Sequence, residues 1–276
     1  MSDGALSGRT VFMSGGSRGI GLAIAEKLAS NGANVALMAK TDQPHPKLEG
    51  TIHTAADAIR EAGGQALPIL GDVRDADAVE AAVAQTVEKF GGVDIVVNNA
   101  SAISLGPIGD LPVKRFDLMM QINVRGTFVV TRACLPHLRE SDHAHVLTLS
   151  PPIDAVPDWV ANYGPYTLSK MGMSMLTLGL AADEPSISAN CLWPRTMIAT
   201  AAVQNLLGGD EAMAKSRTPA IVADAAYEIV RRPPGELTGR ALIDDDVLRE
   251  AGVDDMSTYA APDAELQLDI FVANWD

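Results

Sequence analysis

The chain has 276 residues, 47% of them hydrophobic, which is enough for one sizeable core in a single α/β domain. Lys and Arg number 21 against 35 Asp and Glu, a formal net charge of −14. That argues against nucleic acid and anionic membrane as partners, so an anionic ligand would need a local basic cluster.

Cys134 and Cys191 lie far apart in no metal-like spacing, which argues against a disulfide framework and points to a reducing cytoplasm. The opening "MSDGALSGRT" has no apolar signal region, and runs such as "MSMLTLGLAA" are too short to span a bilayer. The closing "FVANWD" carries no targeting or lipidation signal, so a soluble cytoplasmic protein is expected.

In chain order, "TVFMS" (10–14) reads as a strand and "GIGLAIAEKLASNG" (19–32) as the helix after it. "NVALMA" (34–39) is a second strand, followed by the proline-bearing loop "KTDQPHPKLEG" (40–50) and a helix in "TIHTAADAIREAGG" (51–64). "QALPILG" (65–71) and "VDIVVN" (93–98) are strands flanking the helix "ADAVEAAVAQTVEKFGG" (76–92). A long helix in "KRFDLMMQINVRGTFVVTRACLPHL" (114–138) precedes the strand "HVLTLS" (145–150). His143 and His145 in "DHAHV" resemble a metal pair but no third ligand follows, so both are expected in an exposed loop.

A helix over 165–182, the strand "ISANCLW" (187–193) and a seventh strand in "GRALID" (239–244) complete the pattern. Residues 194–218 read as a substrate loop with a helical piece, and 245–276 as an acidic tail packed along the surface. Many helices stop at glycine, and several strands are apolar throughout, as strands buried on both faces of a parallel sheet must be. Residues 1–276 therefore form one doubly wound Rossmann-type α/β domain, with a mostly parallel seven-stranded sheet and helices on both faces.

"VFMSGGSRGIGLAIA" sets Gly15, Gly19 and Gly21 between the first strand and the first helix. Such glycines allow a tight turn, close backbone approach to a diphosphate, and close helix–strand packing, with the diphosphate over the positive helix end. The second strand ends at Lys40 with no acid before Asp42, while Arg18 sits in the glycine loop and Lys47 is nearby. Basic residues there favour a 2′-phosphate, hence NADP(H) over NAD(H).

The glycine loop, "NNAS" (98–101), Asn123 in "QINVRGTF" and Tyr166-x-x-x-Lys170 together resemble the short-chain dehydrogenase/reductase family over about residues 7–244. Within it, "AKTDQPHPKLEGTIHTAADAI", "NNASAISL", "SPP" and "LWPRT" are similar to the hydroxysteroid dehydrogenase-like type 2 group. The larger members of that group carry a C-terminal sterol-carrier domain, for which 276 residues leave no room.

The resemblance implies that Gly15, Ser17, Arg18, Gly19, Ile20 and Gly21 hold the cofactor phosphates, and that Asp72, with Val73 beside it, accepts from the adenine amino group. It further implies that Asn99, Ala100 and Ser101 line the adenosine and ribose path, that Thr196 and Ile198 meet the nicotinamide carboxamide, and that Asn123 holds a water linked to Lys170. Two departures stand out: Ser101 replaces a usual glycine, and so does Arg195 after Pro194.

In "YGPYTLSK" (163–170), Lys170 is seven residues after Tyr163 and four after Tyr166, and helical spacing alone does not choose between them. Pro165 does: proline suits a first helical turn and breaks a continuing one, so the helix starts near 165 and Tyr163 lies in the entering loop. Tyr166 is then the acid/base, its phenolate favoured by Lys170, and Tyr166 and Lys170 also border the cofactor.

The family's usual serine, about 13 residues before the tyrosine, would fall on Ile153, and matching strand ends gives Pro151; neither donates a hydrogen bond. Ser150 is the nearest hydroxyl. Trp193 and Met197 are candidates for the substrate pocket or for core packing.

The expected activity is hydride transfer between NADP(H) and a small-molecule carbonyl or alcohol, lipid-like by resemblance. Two alternatives remain: a nucleotide-binding sensor or scaffold without efficient turnover, and an enoyl-thioester reductase. No metal is expected, and the long apolar helices at 112–138 and 165–182 suggest a homodimer or homotetramer.

Overall fold

The computed structural model describes residues 4–44, 50–154, 157–206 and 208–275, so Lys47 lies outside the described residues. The elements run β1 (Thr10–Ser14), α1 (Gly19–Ser30), β2 (Asn34–Ala39), α2 (Ile52–Glu61), β3 (Gln65–Leu70), α3 (Ala76–Phe90) and β4 (Ile95–Asn98). Then come α4 (Val113–Met119), a π-helical turn at Met120–Arg125, α5 (Gly126–Leu138), β5 (His145–Leu149), α6 (Pro157–Asp183) and β6 (Ser188–Trp193). The chain closes with α7 (Ala201–Leu206), α8 (Gly209–Ala214), α9 (Ala220–Val230), β7 (Ala241–Ile243) and α10 (Asp244–Glu250).

One seven-stranded sheet has the order β3-β2-β1-β4-β5-β6-β7, and every neighbouring pair is parallel. Alternate residues of each central strand feed opposite faces. Val11 and Met13 join one core with Val35, Leu37, Ile95 and Val97, while Phe12 joins the other with Ala36, Met38 and Val96. With both faces buried, these strands need continuous apolar runs, and that is how they read in the sequence.

Strand order reverses between β2-β1 and β4-β5, which opens a crevice at the carboxyl ends of β1 and β4 where such sheets take ligands. The first core also receives Ile221, Val222, Ala225, Ala226 and Ile229 of α9, a helix not read from the sequence. His143 and His145 are buried, not exposed: their Nε2 atoms lie 2.8 Å and 3.1 Å from the Val230 and Arg232 carbonyl oxygens. They serve as ties between the start of β5 and the end of α9.

Candidate active site

The crevice is about 440 Å³ and is lined by the glycine loop, the ends of β2 and β3, and the start of the segment after β4. Gly15, Ser17, Arg18, Gly19, Ile20, Gly21, Lys40, Asp72, Val73, Asn99, Ala100 and Ser101 all border it. Gly15 has φ +77°, and a Cβ there would lie 2.7 Å from the Ala100 backbone. At Gly21 a Cβ would come within 2.4 Å of Asn99 Nδ2, which itself donates to the Gly15 carbonyl at 2.6 Å. These glycines let β1, α1 and the residues after β4 close around the phosphate-sized turn.

Arg18 donates to the Gly50 carbonyl at 2.7 Å, and its Nε is buried with no hydrogen-bond partner among the described residues. Lys40 is exposed on the same wall. This orphaned donor, the exposed ammonium and the glycine cradle fit the phosphates of a nicotinamide dinucleotide. Arg74 engages the Asp72 carboxylate through Nε at 3.0 Å and NH2 at 2.6 Å, and these bonds hold the carboxyl below its usual range.

Thr196 and Ile198 do not reach the crevice lining. They are buried and pair with Leu268 and Arg217 in isolated bridges, and Thr200, Ala201 and Ala202 border the crevice instead.

The helix bearing Tyr166 begins where Pro165 predicts. Tyr163 has non-helical dihedrals (φ −134°, ψ 23°), so α6 is two segments meeting at a kink, with a short helix from Pro157 in place of the expected open loop. Tyr166 and Lys170 lie on the second segment, both buried. Lys170 Nζ donates to the Leu149 carbonyl at 2.5 Å and sits 4.9 Å from the Trp193 ring centroid.

Burial pushes the Lys170 ammonium down to about 7, opposed by Asp269 and the Cys191 thiol. Burial, then the Asp269 charge, push the Tyr166 phenol up, so in this state the hydroxyl keeps its proton across neutral pH.

Asn123 falls in the π-helical turn, a place where an extra residue per turn often marks a working site. Its Oδ1 accepts from the Ala102 amide at 2.7 Å, while Nδ2 donates to the Ala102 carbonyl and the Ser169 hydroxyl, both at 3.0 Å. The side chain thus clamps the segment after β4 to the helix carrying Lys170. Ser150 is wholly buried, its hydroxyl unpaired among the described residues, and with Ser174 and Thr177 it surrounds the Cys191 thiol.

Much of residues 251–267 is exposed or half-buried, as a tail along the surface would be, but residues 268–271 turn inward. Gln267 accepts from the Met197 amide, and Asp269 donates its amide to the Arg195 carbonyl at 2.9 Å, which steers the chain over Tyr166. Phe271 is 2% exposed, nearly parallel to the Tyr166 ring at 5.7 Å, and also meets Trp159 and Trp193 edge-on. Asp269 accepts from Trp193 Nε1 at 2.7 Å, and burial pushes its carboxyl up to about 6.

Arg195 is buried, with Nε on Asp245 and NH2 on Asp246 at 2.6 Å each, and its amide donates to Asp244. Burial alone would raise Asp245, but its bonds from Arg195 and Arg217 prevail and hold its carboxyl below the usual range.

No helix among the described residues is long and apolar enough to cross a membrane. Among the described residues no cluster of His, Cys, Asp or Glu forms a metal site.

Residues 9–209 match the family model "short chain dehydrogenase". Over 271 residues the chain is 49% identical to the human hydroxysteroid dehydrogenase-like protein 2, covering 98% of this chain but 64% of the human one. A Mycobacterium thermoresistibile short chain dehydrogenase structure is 59% identical with a TM-score of 0.92, covering 97% of this chain and 96% of that one. A Mycobacterium avium carveol dehydrogenase, solved in complex with NAD, shares the fold at 23% identity and TM-score 0.77, over 87% and 97% of the two chains. With the sheet order, the glycine cradle and the Tyr166–Lys170 helix, these matches make the chain a member of the short-chain dehydrogenase family of oxidoreductases, whose members use nicotinamide cofactors.

Proposed function

We propose that the chain interconverts a carbonyl and an alcohol at the expense of NADP(H), with Tyr166 exchanging the proton. The observation that carries this reading is the buried Tyr166–Lys170 pair on one helix; neither residue lines the crevice, but Ala102 of its wall packs against the cluster that holds Tyr166. The chemistry a bound nicotinamide dinucleotide supplies is two-electron hydride transfer. The glycine loop would hold its diphosphate, and Arg18 and Lys40 its 2′-phosphate.

A phenol that stays protonated at neutral pH is in the state a proton donor to a carbonyl oxygen requires. Lys170, held against the Leu149 carbonyl, favours the phenolate left behind. Ser150, whose buried hydroxyl has only the Cys191 thiol close to it, is the proposed donor to the substrate oxygen. The rings of Trp159, Trp193 and Phe271 about Tyr166 accord with a lipid-like, uncharged substrate.

A homodimer or homotetramer built on α5 and α6 accords with exposed Phe128 and Met175 bordering the groove between those helices. A cytoplasmic setting accords with two buried free thiols, Cys134 and Cys191.

The test is NADPH consumption followed at 340 nm with ketones, aldehydes and enoyl thioesters. Wild type and Tyr163→Phe should turn over a ketone or aldehyde, and Tyr166→Phe should not while still binding NADPH. Turnover confined to enoyl thioesters, or retained in Tyr166→Phe, would overturn the reading. Lys40→Asp should weaken NADP(H) binding and leave NAD(H) binding nearly unchanged.

A further inference from the structure

We propose that Asp269 is a positioning residue of the active site, one that holds the Trp193 indole against Lys170 and gives the buried ammonium its counter-charge. The proposal rests on the Tyr166–Lys170 reading above. Its basis is geometric. The bridge from Thr196 to Leu268 and the amide bond from Asp269 to Arg195 fix this part of the C-terminal segment beside the site. Phe271, stacked on Tyr166, pins it on the other side. Between these anchors the half-buried Asp269 accepts from Trp193 Nε1 at 2.7 Å, and the face of that indole lies 4.9 Å from Lys170 Nζ.

The charged and titratable groups around Asp269 are few. Tyr166 and Lys170 of α6 face it, and Cys191 lies beside Lys170. Arg195 meets Asp269 through its backbone carbonyl, with its guanidinium turned to Asp245 and Asp246. Lys215 bonds the Gln267 amide through its carbonyl, and its ammonium pairs with Glu211. The carboxylate therefore acts chiefly on the Tyr166–Lys170 pair. A negative charge makes both neighbours hold their protons to higher pH, so removing it moves the pair's titration to lower pH.

Asp269→Asn keeps an acceptor for Trp193 and removes the charge. With saturating cofactor, the alkaline fall of kcat/KM for reduction should move down by about 0.5–1 pH unit. The rise for oxidation should move the same way. The effect should be present above about pH 6, where wild-type Asp269 is ionised. A folded Asp269→Asn enzyme with the wild-type pH profile, whatever its melting temperature, would overturn the proposal.

A second arm needs no turnover. In protein labelled with 13C-aspartate, with the Asp269 resonance identified by its loss in Asp269→Glu, Lys170→Met should raise the Asp269 titration midpoint by about 0.5–1 unit. An unmoved midpoint in folded Lys170→Met protein would also overturn it. If wild type reduces no substrate, the proposed function fails and this arm still decides the role of Asp269.

Discussion

Lys170→Met removes a buried ammonium while leaving most of its volume filled. In the folded protein burial lowers that ammonium from 10.5 to about 7. Between these values the unfolded chain binds the proton and the folded one does not, so the unfolded state holds more protons and stability rises with pH. From the two ionisation values, wild type gains about 2.5 kcal/mol between pH 7.5 and pH 9.5 from this residue alone. Lys170→Met has no such gain. Its stability relative to wild type should therefore fall by about 2.5 kcal/mol over the same two pH units.

The lost bond to the Leu149 carbonyl counts equally at both pH values and cancels from the difference. Urea unfolding of both proteins at pH 7.5 and 9.5, followed by tryptophan fluorescence, measures it directly. A difference independent of pH would mean that Lys170 ionises in the folded state as it does in water, and the electrostatics argued for Tyr166 would be wrong.

Gly21→Ala should destabilise by about 1–3 kcal/mol and weaken NADPH binding at least tenfold, because its Cβ meets the Asn99 amide that ties down the Gly15 carbonyl; calorimetric titration and thermal melts check both. Arg195→Met leaves Asp245 with Arg217 and Arg249 only, at 3.1 Å and 3.2 Å, and should cost about 3 kcal/mol, or about 6 °C in melting temperature. The Asp245 carboxyl is held low in the fold, so its contribution is present above the ordinary carboxylate range and lost as pH falls. Acid unfolding of Arg195→Met should accordingly begin at higher pH than in wild type. Ser150→Ala should lower kcat by roughly 10²-fold without changing NADPH affinity, and an unchanged kcat would remove Ser150 from the reaction.

The strands were legible because each fills both faces of a parallel sheet, which leaves little freedom in residues such as Val11, Phe12 and Met13. The kink before Tyr166 was legible for a similarly local reason, the constraint Pro165 places on the preceding turn. The α9 helix was not. In "AIVADAAYEIV" seven of eleven residues are buried between α1, the sheet and α10, so the polar face that marks a surface helix shrinks to the narrow stripe of Asp224, Tyr227 and Glu228.

The π-helical turn leaves no gap in the periodicity of "LMMQINVRGTF", and its extra residue shows only in the backbone. The C-terminal wall was hidden most deeply. Phe271 is one aromatic in an unpatterned run, and its three ring partners come from residues 159, 166 and 193. Arg195 read as a departure from the family glycine, yet it is the node joining the start of α10 to the segment over the site.

The route of that last segment sets how the protein tolerates attachments. Five residues follow Phe271, and fully extended they reach about 18 Å, so any tag or fused domain joined after residue 276 would begin within that distance of Phe271, whose ring lies 5.7 Å from that of Tyr166. Tethered so closely, even a weakly interacting appendage would confront the pocket at millimolar effective concentration. The opposite terminus departs from the far end of the sheet, where the Leu6 amide bonds the Asn31 carbonyl just ahead of β2. Cargo fixed there would be remote from the chemistry, and cargo fixed at the other end would act as a tethered competitor for the pocket.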